Sequence, residues 1–143
     1  MNVDLLFDGS RRVPVRLGEK PYDAVLDAVR TCKALNLDPI RLDACDWMNL
    51  AHIATRLGVS REIVRLWAIG KYGPGRFPPP LNPGMDTKFY SWFEVGEWLR
   101  EHKDYTDELP EEPSLAAMNL ALQLRRMAPR ISRLDAIVDL IIM

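Results

Sequence analysis

Residues 50–69 read LAHIATRLGVSREIVRLWAI, and the spacing within them decides the fold. Ile53, Ala54 and Leu57 fall at i, i+1 and i+4, the spacing of a buried stripe on one helix face. Gly58 follows at once, where a helix ends and the chain must turn through a conformation that favours positive φ. Val59 is placed to plug that turn from inside, and Ser60 is a good N-cap for a second helix. Ile63, Val64 and Trp67 repeat the first spacing and face back to the core. Ala54 is small where a large side chain would push the two helices apart. The pattern predicts a helix-turn-helix whose outward positions are Arg61, Glu62, Arg65 and Leu66. Arginine and glutamate read base edges and phosphates, so the unit points to a second helix lying in a DNA major groove.

Downstream, residues 70–92 read GKYGPGRFPPPLNPGMDTKFYSW, too rich in glycine and proline for a long helix. Pro78, Pro79 and Pro80 favour an extended path, Asn82-Pro83-Gly84 marks a turn, and residues 87–91 have the aromatic and β-branched character of a strand. Two extended arms around that turn predict a hairpin, or wing, over 71–91. A helix over 93–102 follows, with Val95, Trp98 and Leu99 inward. Trp67, Phe89, Tyr90, Trp92, Phe93 and Trp98 are expected to pack the core and the root of the wing rather than to stack on bases. Trp47 is expected to cap the junction with the preceding region.

Upstream, 3–7 and 12–17 read as strands joined by the turn signal Asp8-Gly9. Pro14 places the second at an edge or a bulge. Pro21 opens a helix to residue 36 with Tyr22, Val25, Leu26, Val29 and Cys32 inward, and 40–42 is a short third strand. Toward the other end, 103–113 is acidic and proline-bearing. Ser114 can cap a helix with Leu115, Met118, Leu122 and Met127 as its apolar positions, broken by Pro129. A last helix from 131 repeats Ile131, Leu134, Val138 and Ile141. The expected architecture is α+β: a β-β-α-β unit at 1–46, a winged helix-turn-helix at 47–102, a linker at 103–113 and two C-terminal helices at 114–143.

Charge is unevenly placed. The chain has a formal net charge of −1, yet residues 50–92 hold six basic side chains against two acidic ones. Residues 101–143 reverse this, with five basic against eight acidic. Positive charge thus gathers around the proposed reading head. At 143 residues the chain can bury one modest core or two small ones. No apolar run approaches a membrane span, and MNVDLLFDGSRR lacks the pattern of a secretory signal. A cytoplasmic protein with Cys32 and Cys45 as reduced thiols is the expectation.

The motifs resemble the winged helix-turn-helix of MerR-like and excisionase-like DNA-binding proteins. They are closer still to a group of small uncharacterised actinobacterial helix-turn-helix proteins. Those share the pattern IAxRxGxSRxxVxLxxxGxxGPGxFPxP, an aromatic strand and a W/F-x-EV-xx-WL helix. Here the pieces stand as IATRLGVSREIVRLWAIGKYGPGRFPPP and FYSWFEVGEWL, about the middle third of the chain. The resemblance implies a second helix, 60–69, in the major groove and a wing on the adjacent backbone or minor groove. It places Ser60, Arg61, Glu62 and Arg65 at the groove, and Lys71, Tyr72, Arg76 and Lys88 on or beside the wing. It does not extend to the C-terminal helices, and the long coiled coil that MerR-like activators add is not legible.

Catalysis is not expected. His52 and His102 are distant from each other and from the cysteines at any zinc-ligand spacing, no nucleophile–base pair is legible, and GKYGPG is a turn rather than a phosphate loop. No cofactor or metal is implied. The expected function is sequence-specific double-stranded DNA binding by a small transcriptional repressor. The apolar C-terminal helices add the expectation of a homodimer, which suits two heads reading two half-sites. The competing reading is an interaction adaptor, antitoxin-like or an assembly factor, that uses the helix-turn-helix as scaffold and takes a protein partner at those same helices.

Overall fold

The first strand, β1 (Asn2–Leu6), alternates as a half-buried strand must, with Val3 and Leu5 turned into the core. It pairs antiparallel with β2 (Arg12–Arg16), Val3 opposite Val15 and Leu5 opposite Val13. On its other side runs β3 (Arg41–Leu42), also antiparallel, giving the order β2-β1-β3. Pro14 therefore lies on an edge strand. The bonds from Leu17 N–H to Met1 O and from Phe7 N–H to Arg11 O place the hydrogen-bonded pairs at odd-numbered residues. Pro14, opposite Asp4, turns its missing donor away from β1, where no ladder bond is lost.

These coordinates are a computed structural model that describes residues 1–102 and 113–143. Among the described residues the chain has six α-helices and two small sheets, an α+β fold. It divides into two compact units, one of Met1–Cys45 with Ser114–Met143, the other Asp46–Pro113. The sequence set 1–46 and 114–143 apart, whereas the structure gathers them around one core. The acidic linker expected at 103–113 lies, apart from Pro113, outside the described residues.

In the first unit α1 (Pro21–Ala34) covers the sheet with Val25 and Cys32, flanked by Ala24, Ala28 and Val29. Tyr22 and Leu26, expected inward, are 46% and 45% exposed. The stripe in use is narrower than the apolar pattern because α5 (Ser114–Met127) takes part of the same core, packing on β3 and α1. From α5 come Leu122, buried, and Leu115 and Met118, partly so; Met127, the fourth expected position, is exposed at the end of the helix. Asn119 is buried as well, and its Oδ1 accepts the Leu42 N–H at 2.9 Å. A side chain thus satisfies the donor that β1 leaves over on a two-residue strand, where an unpaired buried N–H costs about 1–3 kcal/mol. A 3₁₀ turn at Ala128–Arg130, carrying Pro129, separates α5 from α6 (Leu134–Ile142), in which no residue is buried.

The second unit begins with β4 (Trp47–Met48), paired antiparallel with β5 (Tyr90–Ser91), Trp47 opposite Ser91. Three helices pack beside this pair: α2 (Leu50–Leu57), α3 (Arg61–Ala68) and α4 (Trp92–His102). Their common core holds Ile53, Ala54 and Leu57, then Val64 and Trp67, then Trp92, Val95, Trp98 and Leu99, with Tyr90 from β5. Each fully buried large apolar side chain contributes about 1.5–3 kcal/mol. Ring edges and faces interlock, Trp67 with Trp98 at 5.4 Å and Phe77 with both Trp98 and Tyr90 at 5.1 and 5.4 Å. Phe93 and Trp47, expected as packing residues, are 40% and 51% exposed, Trp47 leaning on Phe89 at 5.8 Å. Among the described residues no helix is long and apolar enough to cross a membrane.

Candidate nucleic-acid interface

Both helices of the α2–α3 pair are started by a side-chain cap. Asn49 Oδ1 accepts the His52 N–H at 2.8 Å and starts α2. Gly58 ends it at φ 67°, a left-handed conformation that costs a residue with Cβ about 1 kcal/mol or more. Ser60 Oγ accepts the Ile63 N–H at 3.2 Å and starts α3. With Val64 and Trp67 held inside, α3 has one rotation available, and it turns Arg61, Glu62 and Arg65 outward. Ser60 is thereby spent as a cap.

The chain after α3 is shaped by its tryptophans. Gly73 sits at φ 85°, a conformation that strains any residue with a side chain, and an added Cβ would also press on Trp67 Cδ1 at 3.2 Å. Trp98 Nε1–H donates to Gly75 O at 2.8 Å. These contacts fold residues 70–77 onto the core and leave Lys71, Tyr72 and Arg76 on an exposed loop.

Residues 78–89 depart from the expected hairpin. The strand predicted over 87–91 is only Tyr90–Ser91, and its partner is Trp47–Met48 rather than the proline-rich arm. Pro78, Pro79, Pro80 and Pro83 have no N–H to give a ladder. Instead, one backbone bond, Leu81 N–H to Phe89 O at 2.7 Å, closes a loop. Asn82 then locks it from within, Oδ1 accepting the Phe89 N–H at 2.7 Å and Nδ2 donating to Thr87 O at 2.9 Å. The root of this loop is tied to α4, because Asp46 accepts from Ser91 Oγ at 2.5 Å and from the Phe93 N–H at 3.3 Å.

Between that loop, the outward face of α3 and the first residues of α2 lies a cleft of about 470 Å³. Arg61 and Arg65 line it from α3 and Lys88 from the loop, with Asp86 the one acidic side chain in the wall. Asn49, Leu50 and Ala51 form the α2 side, and Ala68, Ile69, Pro80, Thr87 and Tyr90 the rest. Of the site residues the sequence named, Arg61, Arg65 and Lys88 come together here with Glu62 beside them. Lys71, Tyr72 and Arg76 do not line the cleft. Asn49, Asp86 and Asn82 were not named as site residues. Asn49 had a readable signal, an amide directly before the periodic stripe of α2, whereas the roles of Asp86 and Asn82 depend on how the loop closes.

Glu62 and Arg65 are joined by two parallel bonds, Nε to Oε2 at 2.9 Å and Nη2 to Oε1 at 2.6 Å. The Arg65 guanidinium, with Arg61 adding a smaller share, holds the Glu62 carboxyl below its usual range, and the carboxylate in turn raises Arg65. Arg56, on α2, lies over the Trp92 ring at 5.3 Å, a packing role for a cation within the basic segment. Among the described residues no three histidine, cysteine or acidic side chains gather as metal ligands. Comparison with protein-family models, curated proteins and solved structures finds no match for this chain.

Proposed function

We propose that the chain is a sequence-specific binder of double-stranded DNA, a small transcriptional repressor of the winged helix-turn-helix kind. The observation that carries this reading is the face of α3. It is exposed, it bears Arg61, Glu62 and Arg65, and it forms one wall of a cleft whose other wall brings Lys88. A helix of this diameter fits the major groove, where Arg65 or Arg61 can donate two bonds to a guanine, worth about 1–3 kcal/mol of discrimination. The loop carrying Lys88 acts as the wing and meets phosphate. Lys71, Tyr72 and Arg76, on the preceding loop, add backbone contacts if the duplex extends past the cleft. No cofactor enters this reading.

A homodimer completes it. Helix α6 turns Leu134, Val138 and Ile141 to solvent at i, i+4 and i+7, with Leu140 and Ile142 also exposed. A second copy laid on that stripe would bring two heads to two half-sites. The same bare helix favours the adaptor reading, in which a different protein covers it and the α2–α3 pair is scaffold.

The test is selection of duplexes from a randomised library by the full chain, followed by titration of the enriched duplex and a scrambled one at several salt concentrations. The expected result is preference for the enriched duplex and a log–log salt slope of about −0.9 for each phosphate neutralised. A chain that shifts no duplex at low salt is not a DNA reader, and the adaptor reading takes its place.

A further inference from the structure

The α3 face carries an acid among its arginines. A surface built only to attract DNA has no use for a carboxylate between Arg61 and Arg65, yet Glu62 stands there and grips Arg65 by both oxygens. Both side chains are open to water, 61% exposed for Glu62 and 47% for Arg65, so burial does not force the pairing. The i, i+3 spacing does, since it sets the two side chains side by side on the helix.

Two physical consequences follow. First, the bonds occupy the Nε–Nη2 edge of the guanidinium, leaving Nη1 and the second Nη2 hydrogen to point onward. Arg65 is thus oriented before any ligand arrives. Second, the pair carries no net charge, so a passing phosphate is drawn less strongly to Arg65 than it would be to a lone cation. A repulsive element that penalises the wrong partner more than the right one is how specificity is gained at the expense of affinity. A base edge differs from a phosphate in this respect. The N4 amine of a cytosine is a donor that a carboxylate accepts, and a guanine offers O6 and N7 to the arginine.

The geometry points to Glu62 as the specificity-determining residue of this face: it withholds Arg65 from phosphates and yields full contact only where a cytosine amine lies within its reach. This rests on the DNA reading above and deepens it. Arg61 makes no ion pair among the described residues and lines the cleft, so it supplies the indiscriminate attraction that Glu62 tempers.

The experiment compares the full-length wild type with Glu62→Gln, which keeps the shape and removes the charge. Each is titrated against the duplex enriched by the wild type and against a scrambled duplex, across a salt series. The expected result is tighter binding of the scrambled duplex, roughly tenfold at low salt, with a slope steeper by about 0.9 as one more phosphate is engaged. The enriched duplex should gain less or lose, so the preference ratio falls, and duplexes selected anew by the variant should no longer share a cytosine. An unchanged ratio overturns the inference while leaving the DNA reading intact. So does an equal fall in affinity for both duplexes, which makes Glu62 a prop for α3. A wild type that binds both duplexes equally also overturns it, because there is then no preference to determine. A wild type that binds neither removes the DNA reading itself.

Discussion

Helices α3 and α6 are nearly the same length, eight and nine residues, and the fold treats them in opposite ways. In α3 Val64 and Trp67 are sunk into the core, at 0% and 2% exposure, and the exposed side chains are the charged Arg61, Glu62 and Arg65. In α6 nothing is buried, and the outward side chains are leucine, valine and isoleucine, with Asp135 and Asp139 as its only charges. The first helix is finished by its own unit and shows water a chemistry that suits an ion-rich ligand. The second is unfinished and shows water a chemistry that suits another apolar surface. On the proposed reading, two helices of nearly equal length divide the work of recognition, one toward a polyanion and one toward protein.

The largest effect that would break this contrast is loss of the anchor of α3. Trp67→Ala should cost about 3–5 kcal/mol of stability, read by chemical denaturation, because it empties the stack with Trp98 and the seat of Gly73. A loss under about 1 kcal/mol would mean that α3 is held by something other than that core. Next comes Arg65→Ala, expected to lower affinity for the enriched duplex by about 1–3 kcal/mol and to relax its sequence preference. Its melting temperature should stay near that of the wild type, since the side chain is exposed and its hydrogen bonds among the described residues go to Glu62. Unchanged DNA affinity in that variant would remove Arg65 from the reading face.

A smaller change sharpens the comparison from the capping side. Ser60→Ala should cost about 1 kcal/mol by deleting the bond to the Ile63 N–H, measured as a shift in denaturation midpoint. The smallest effect on stability is expected at α6. Ile141→Asp, at a site 69% exposed, should change the folding free energy by no more than about 0.5 kcal/mol. It should nevertheless convert a dimer to a monomer in light scattering. A chain that is monomeric before the substitution would leave α6 to a different protein partner.

The contrast also shows where sequence reading succeeds. The α2–α3 pair was legible because all its determinants are local: a stripe at i, i+1, i+4, a glycine at a left-handed site and a serine in front of the second stripe. Strand pairing in the first unit was legible for the same reason, from alternation around Asp8-Gly9. Tyr22 and Leu26 were misplaced because a helix pattern shows which residues are apolar and not how much of the sheet remains to be covered once α5 has arrived. The strand expected at 87–91 is short because the prolines of the arm next to it have no donors to pair it, and Trp47 and Met48 supply the partner from more than forty residues away. Asn119 is the hardest case. Nothing in SLAAMNLALQLRRM marks an asparagine as buried, and only the leftover donor of Leu42, far away in the chain, gives it a reason to be.

That last bond has a consequence for the order of events during synthesis. The unit that includes β1, β2, β3 and α1 closes with Leu122 and Asn119, which leave the ribosome late. The unit bearing α3 draws its buried core from Ile53 to Leu99, all of it translated earlier. The middle of the molecule can therefore condense while the opening strands still wait for their lid, and a chain halted before residue 119 would carry a complete second unit and an unsealed sheet.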